Sequence, residues 1–223
     1  MKHKILSVIF VIIVMLSFQG CKSEKAQMTY SPLKITDAGL IQKGDEYVEY
    51  SLQDFLDLLN QKNIPVKEIK GSDNVRVSDA GSVLFEESSW EHSLYQQDKT
   101  SLDKEKLFDS IKKNDIQAVY IQTQYETFVF AMASNQEGAD VSADNLYSDI
   151  IISTNPHFET EKGVKIGDSF DKASEKYGFK GKDIIKISDK DWSVWVADSN
   201  IVFKGNNNEI TTIKLGHKAM CSQ

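Results

Sequence analysis

Residues 116–133 read IQAVYIQTQYETFVFAMA, and this stretch decides the fold. Within it, Ile116–Gln124 and Glu126–Ala133 are rich in valine, isoleucine, tyrosine and phenylalanine, the residues that β-sheets favour. No other pair of neighbouring segments carries so strong a strand pattern. The stretch therefore predicts two adjacent strands of an antiparallel sheet.

Two amphipathic helices are predicted before this strand pair. In the first, apolar residues recur at i, i+3, i+4 and i+7, on one helix face; they are Leu52, Phe55, Leu56 and Leu59. Ser51 is placed to cap its amino end, and Pro65 prevents its continuation. For the second helix, Ser101 is the predicted cap, and one face carries Leu107, Phe108 and Ile111.

A third helix is predicted after the strand pair. The glycine-flanked run Gly163–Gly167 leads into Asp168 and Ser169, and either of these residues could cap the helix. One face then carries Phe170, Ala173 and Tyr177. Gly178 suits the left-handed position that ends a helix.

Short runs of β-favouring residues surround these segments and are separated by turns. They are Val66–Lys70, Asn74–Ser78, Ser82–Glu86, Ile150–Thr154, Ile184–Ile187, Trp192–Ala197, Asn200–Lys204 and Ile210–Leu215. Ser134–Asp144 is predicted to be a polar, acidic loop, and no internal repeat occurs at a fixed period. The predicted fold class is α+β, with antiparallel sheet and about three helices.

The amino end carries the pattern of a lipoprotein export signal. Lys2 and Lys4 precede an apolar run, Ile5–Leu16, that is too short to span a bilayer. Residues 16–21 read LSFQGC, which is similar to the site cleaved by signal peptidase II. We therefore expect cleavage before Cys21 and lipid attached to that cysteine, which anchors the protein to a membrane through several acyl chains. An uncleaved anchor and an ordinary secretory signal are the alternatives.

This interpretation divides the chain into three parts. Residues 1–20 are the signal peptide, 21–32 a polar lipidated tether, and 33–223 a single α+β envelope domain in which a sub-boundary could fall near 155–162. Lys22, rather than aspartate, follows Cys21, and this predicts the outer membrane. The second cysteine, Cys221, then has no intramolecular disulfide partner.

Composition excludes some partners. A content of 40% apolar and 26% charged residues is that of a folded protein. The net charge of −7, or −9 without Lys2 and Lys4, disfavours nucleic acid, because an acidic protein releases no counterions from it. Arg76 is the only arginine, so bidentate recognition of phosphate has a single possible donor.

The segment Thr160–Tyr177 resembles part of the envelope-stress (sigma-E) regulated bacterial lipoproteins. The closing strand, with Ile210, Ile213 and Leu215, is similar to that family's last strand. Ile35–Leu40 would match its opening strand. The resemblance implies an α+β envelope domain without established enzymatic activity, and it supplies no catalytic residues.

Candidate chemistry is sparse. Gly167-Asp168-Ser169-Phe170 resembles the nucleophile block of GDS-type esterases, but Lys214 stands where an aspartate before His217 would be needed, so helix capping is the favoured explanation. The histidines lack metal-ligand spacing; they are His3, His92, His157 and His217. The acidic-loop residues do not follow a calcium-loop order; they are Asp140, Asp144 and Asp149.

Trp192 and Trp195 fall on opposite faces of a predicted strand, which fits either a core buried on both sides or a binding surface. The sequence thus predicts a lipid-anchored, non-enzymatic binding or structural module of the bacterial envelope. It has no predicted cofactor or metal; its expected partners are the membrane, through the lipid on Cys21, and an unidentified protein or other component of the envelope. A carrier of small apolar ligands is the alternative, and a hydrolase using Gly167–Ser169 is the less favoured one.

Overall fold

A computed structural model describes residues 33–73, 90–97, 101–132, 141–178, 184–186, 191–196 and 201–216, with backbone alone for 184–186 and 191–196. The helices are α1 Leu52–Gln61, α2 Lys104–Lys113 and α3 Phe170–Tyr177. The strands are β1 Ile41–Lys43, β2 Glu46–Val48, β3 Glu68–Ser72, β4 His92–Gln96, β5 Ala118–Gln122, β6 Glu126–Met132, β7 Leu146–Ser153, β8 Ile184–Lys186, β9 Asp191–Val196, β10 Ile201–Asn206 and β11 Glu209–Gly216.

Nine of these strands form one antiparallel sheet, in the order β4-β3-β5-β6-β7-β11-β10-β9-β8, while β1 and β2 form a separate hairpin. The predicted α+β class, with antiparallel strands and three helices in the described part of the chain, is therefore confirmed. The protein is nevertheless richer in strand than expected. The predicted central pair became β5 and β6, which lie in register with Tyr120 opposite Val129.

The core lies where α1 packs on the middle of the sheet. The Phe55 ring lies 4.5 Å from the Phe128 ring and 5.1 Å from the Phe130 ring, measured between centroids. All three side chains are fully buried. The alternation of β6 sends Val129 to the opposite face, so both faces of this strand bury apolar side chains.

Helix ends confirm most of the capping predictions and correct one. Ser51 caps α1 by accepting a hydrogen bond from the Asp54 amide. The predicted cap of the second helix, Ser101, is wrong: α2 begins at Lys104, and Asp103 accepts from the Lys106 amide. A carboxylate at this position also favours the positive end of the helix dipole.

The predicted opening strand Ile35–Leu40 is wrong. Only Ile35 makes a bridge, to Ile41, and the following residues form a turn closed by the Gly39 amide, which donates to the Thr36 carbonyl at 2.9 Å. Gly39 has φ +79°, and a Cβ there would lie 2.6 Å from the Gly216 Cα. The turn thus packs directly on the end of β11, where only glycine fits.

Other predictions fall outside what is described. The runs Asn74–Ser78 and Ser82–Glu86 lie there, as do Cys21, Cys221, Asp140 and His217, and the side chains of Trp192 and Trp195. Within the described residues, β7 begins at Leu146, four residues before the predicted start. The last four predicted strands are confirmed within one residue at most ends, as β8 to β11.

The sheet consists of two similar halves. The first half, residues 33–158, has the β1–β2 hairpin, then α1, and then the meander of β3, β5, β6 and β7. The second half, residues 159–223, has a bridge between Glu159 and Lys165, then α3, and then the meander of β8, β9, β10 and β11. The last strand of each meander pairs antiparallel with the other, around Ile152 opposite Lys214. The two halves are therefore related by an approximate twofold axis through that pair.

Local details repeat between the halves. Each capping serine bridges the last strand of its half, Ser51 to Tyr147 and Ser169 to Glu209. The carbonyl before each cap accepts from the next amide of that strand, Tyr50 from Ser148 at 2.9 Å and Asp168 from Ile210 at 2.8 Å.

Both last strands also carry a register shift at the corresponding place, at Asp149 of β7 and at Thr211 of β11. The first half differs by an insertion, residues 73–117, which carries β4 and α2.

Candidate functional site

An open groove of about 640 Å³ lies between the β1–β2 hairpin and α1. It is lined by Gln42, Lys43, Gly44, Tyr50, Asp54, Asp57, Leu58, Gln61 and Lys62. Most of these side chains are polar or charged. The groove can therefore hold a polar or charged ligand, or a peptide backbone.

The amphipathic pattern of α1 determines which side chains reach the groove. Phe55, Leu56 and Leu59 are buried on the sheet side. Asp54 and Asp57 consequently face outward, with more than half of each side chain exposed. Leu58 lies between these two faces, so it lines the groove although it is mostly buried.

Each groove carboxylate is paired with a lysine. The Lys43 ammonium lies 3.3 Å from Asp54 and 5.4 Å from the centre of the Tyr50 ring. Lys104 of α2 pairs with Asp57. Exposed ion pairs of this kind are weak, so a ligand charge can replace either lysine at small cost.

Tyr50 forms the floor of the groove. Its hydroxyl donates to the Gln42 carbonyl at 3.3 Å, and burial raises the pKa of this phenol. Tyr50 therefore remains neutral and joins the hairpin to the start of α1. No sequence motif marks this site, so it was not predicted; the outward carboxylates of α1 were the one usable sign in the sequence.

The Gly167–Ser169 turn acts as a helix start. Ser169 accepts a hydrogen bond from the Lys172 amide at 3.2 Å, so Ser169 is the cap, as one of the two predicted candidates. Asp168 accepts from the Lys165 amide at 2.8 Å and from the Lys172 ammonium at 2.6 Å. Burial opposes ionisation of Asp168, but these bonds outweigh it and lower the pKa of its carboxyl.

A buried carboxylate joins the amino-terminal turn to the second half. Asp37 accepts from the Tyr177 hydroxyl at 2.6 Å and from the Glu161 amide at 2.9 Å, and its own amide donates to Glu161 at 3.0 Å. Burial raises the pKa of Asp37, and burial together with this bond raises the pKa of Tyr177. The cluster is closed around its own groups, which indicates a structural clamp.

A second buried carboxylate, Glu126, lies where β6 begins. It accepts from the Asn155 side-chain amide at 2.8 Å and from the Thr123 hydroxyl at 3.1 Å. Asn155 in turn accepts from the His157 amide at 2.9 Å. These bonds give hydrogen-bond partners to the polar groups where β6 begins and where the chain leaves β7, so the cluster is also structural.

The histidines and acidic residues of the described ranges form no cluster of three or more that could hold a metal ion. His92 lies 3.3 Å from Asp73 on the insertion. Of the acidic-loop residues, Asp144 and Asp149 are described and lie on either side of the start of β7. Among the helices described, none is long and apolar enough to cross a membrane.

Comparison with protein-family models, with curated proteins and with solved structures finds no match. The resemblance to the sigma-E regulated lipoproteins therefore stays a prediction.

Proposed function

We propose that this protein is a lipid-anchored binding module of the bacterial cell envelope without enzymatic activity. Cys21 carries the lipid, residues 22–32 are the tether, and the domain reaches a partner through the groove between the β1–β2 hairpin and α1. Anchorage in the outer membrane follows from Lys22 after the lipidated cysteine.

The open groove is the observation that carries the binding role. Its lining combines carboxylates, ammonium groups and amides with one leucine and one tyrosine. Such a surface favours a polar or charged partner over a small apolar ligand, which needs a mostly apolar cavity. Against the hydrolase alternative, the Ser169 hydroxyl already serves the backbone of α3 as its cap.

Lipid anchorage is tested by metabolic labelling with an alkyne fatty acid. Wild type and Cys221→Ser should incorporate the label and sediment with membranes, whereas Cys21→Ser should do neither. Cys221→Ser is the matched control, because it removes the other cysteine of the chain. Equal labelling of Cys21→Ser would disprove lipid attachment at Cys21.

The absence of serine-hydrolase activity is tested with a fluorophosphonate probe. A serine without an adjacent base is a poor nucleophile at neutral pH, so the purified protein should not be labelled. Stoichiometric labelling that disappears in Ser169→Ala would make the protein a hydrolase.

A further inference from the structure

The two halves differ at one equivalent position, the space between the hairpin and the helix. The strap, which we define as residues 35–40, belongs to the first half but lies against the second, between the Glu159–Lys165 turn and the end of α3. Asp37 is the contact residue: it bonds Glu161 of that turn and the hydroxyl of Tyr177 at the helix end. In the second half, the strap therefore occupies the space between the Glu159–Lys165 turn, which corresponds to the hairpin, and α3.

The corresponding place in the first half is the groove. It lies between the turn of the β1–β2 hairpin, at Lys43 and Gly44, and the later part of α1, at Leu58 and Gln61. The hairpin and helix stand in the same order, and both helices start from a serine that bridges the last strand of its half. The groove therefore lies between hairpin and helix as the strap does in the second half, and it is open where its counterpart is filled.

Charge indicates which polypeptide fits. The first half carries 22 acidic and 11 basic residues, whereas the second half carries 10 acidic and 11 basic residues. The groove lining itself is balanced, with Asp54 and Asp57 against Lys43 and Lys62, but the adjoining hairpin residues Asp45, Glu46 and Glu49 are exposed and add three carboxylates. A cationic partner is attracted to such a surface, and an anionic one is repelled.

We propose that the groove docks a basic polypeptide segment of an envelope protein, held between hairpin and helix as the strap is held in the second half. The inference rests on the proposed binding function and specifies its partner. Lysine or arginine side chains of the segment pair with Asp54 and Asp57, and they replace Lys43 and Lys104 there. The internal lysines are thus competitors for the same carboxylates.

The test measures fluorescence anisotropy of a labelled peptide, about ten residues of alternating lysine and glycine, with the detergent-solubilised lipoprotein. Asp54→Asn with Asp57→Asn should weaken binding at least ten-fold at low salt, because both partners of the peptide cations are lost. Lys104→Gln should instead strengthen binding several-fold, because it releases Asp57. Glu175→Gln is the matched control, since Glu175 stands on α3 where Asp57 stands on α1 and is also exposed.

Several outcomes would overturn the proposal. They are unchanged binding in the double variant, equal loss in Glu175→Gln, and equal affinity for a glutamate–glycine peptide. Displacement of the peptide by spermidine at equal charge concentration would show a diffuse cation surface rather than a polypeptide site. Circular dichroism melts establish that each variant is folded. If these tests fail while Cys21 labelling succeeds, the groove assignment is wrong and the lipid anchorage stands.

Discussion

The two halves of the sheet have the same scaffold but bury different surfaces. Val129 of β6 and Lys204 of β10 occupy equivalent positions, each just before the register shift toward the last strand. Val129 is fully buried with Ile150, and Trp90 of the insertion packs against this pair. Lys204 is only half-buried. The outer face of the sheet is therefore apolar where the insertion covers it.

The opposite contrast occurs at the hairpins. The second half is closed by the strap, through Asp37 and Gly39, whereas the first half keeps its groove open. One half is thus closed by contacts within the chain, and the other is the half in which we propose that a partner binds.

Exchange of the outer-face residues should have the largest effect. Val129→Lys should lower the free energy of unfolding by about 4 kcal/mol, because it removes apolar contact and places an ammonium group under Trp90. The matched change Lys204→Val should stay within about 0.5 kcal/mol. Urea denaturation measures both, and similar costs would show that the outer faces of the two halves are equally covered.

Loss of the strap contact should rank next. Gly39→Ala should cost about 3 kcal/mol, because its Cβ would meet the Gly216 backbone and the residue would keep a positive φ. Gly44 has φ +64° in the β1–β2 turn with no atom near its Cβ, so Gly44→Ala should cost only about 1 kcal/mol. Equal losses of melting temperature in Gly39→Ala and Gly44→Ala would mean that the strap does not pack tightly against β11.

The clamp at Asp37 should have a smaller, pH-dependent effect. Tyr177→Phe should cost about 2 kcal/mol at pH 7, because a buried carboxylate loses a donor. Burial raises the folded-state pKa of Asp37, so ionised Asp37 opposes folding at neutral pH, and this penalty disappears as pH falls through the raised pKa. The cost of Tyr177→Phe should therefore shrink toward pH 4. A cost independent of pH would show that the effect of the substitution does not depend on ionisation of Asp37.

The capping serines should show the smallest difference. Ser51→Ala and Ser169→Ala should each cost about 1 kcal/mol, because the two caps make the same bonds in their halves. Asp168→Ala should also destabilise the protein, since the Asp168 carboxylate bonds Lys165 and Lys172. Unequal losses of melting temperature in Ser51→Ala and Ser169→Ala would argue against the equivalence of α1 and α3.

Much of the local structure could be predicted from sequence because it depends on neighbours along the chain. The stripe of Leu52 and Phe55, the cap at Ser51 and the left-handed Gly178 follow from helix periodicity and backbone sterics. The cap of α2 was misplaced, because Ser101 and Asp103 are both good caps and a difference of two residues leaves the apolar face nearly unchanged. The strand runs were found because β-favouring residues cluster between turns.

The sequence by itself determined the three helices and the antiparallel class, because both rest on local pattern; lipid attachment at Cys21 rests on local pattern too and stays a prediction. Only the tertiary structure decided the twofold relation of the halves, since their matching parts share mainly hydrogen bonds and bulges, with few identical residues beyond the capping serines, and the insertion removes any fixed period. It also decided that Ile35–Leu40 forms a strap rather than a strand. Asp37 and Glu161 are bonded across a long sequence separation, and Gly39 meets Gly216 only after the sheet has formed. Contacts between segments so distant in sequence leave no periodicity, so only the folded chain brings them together.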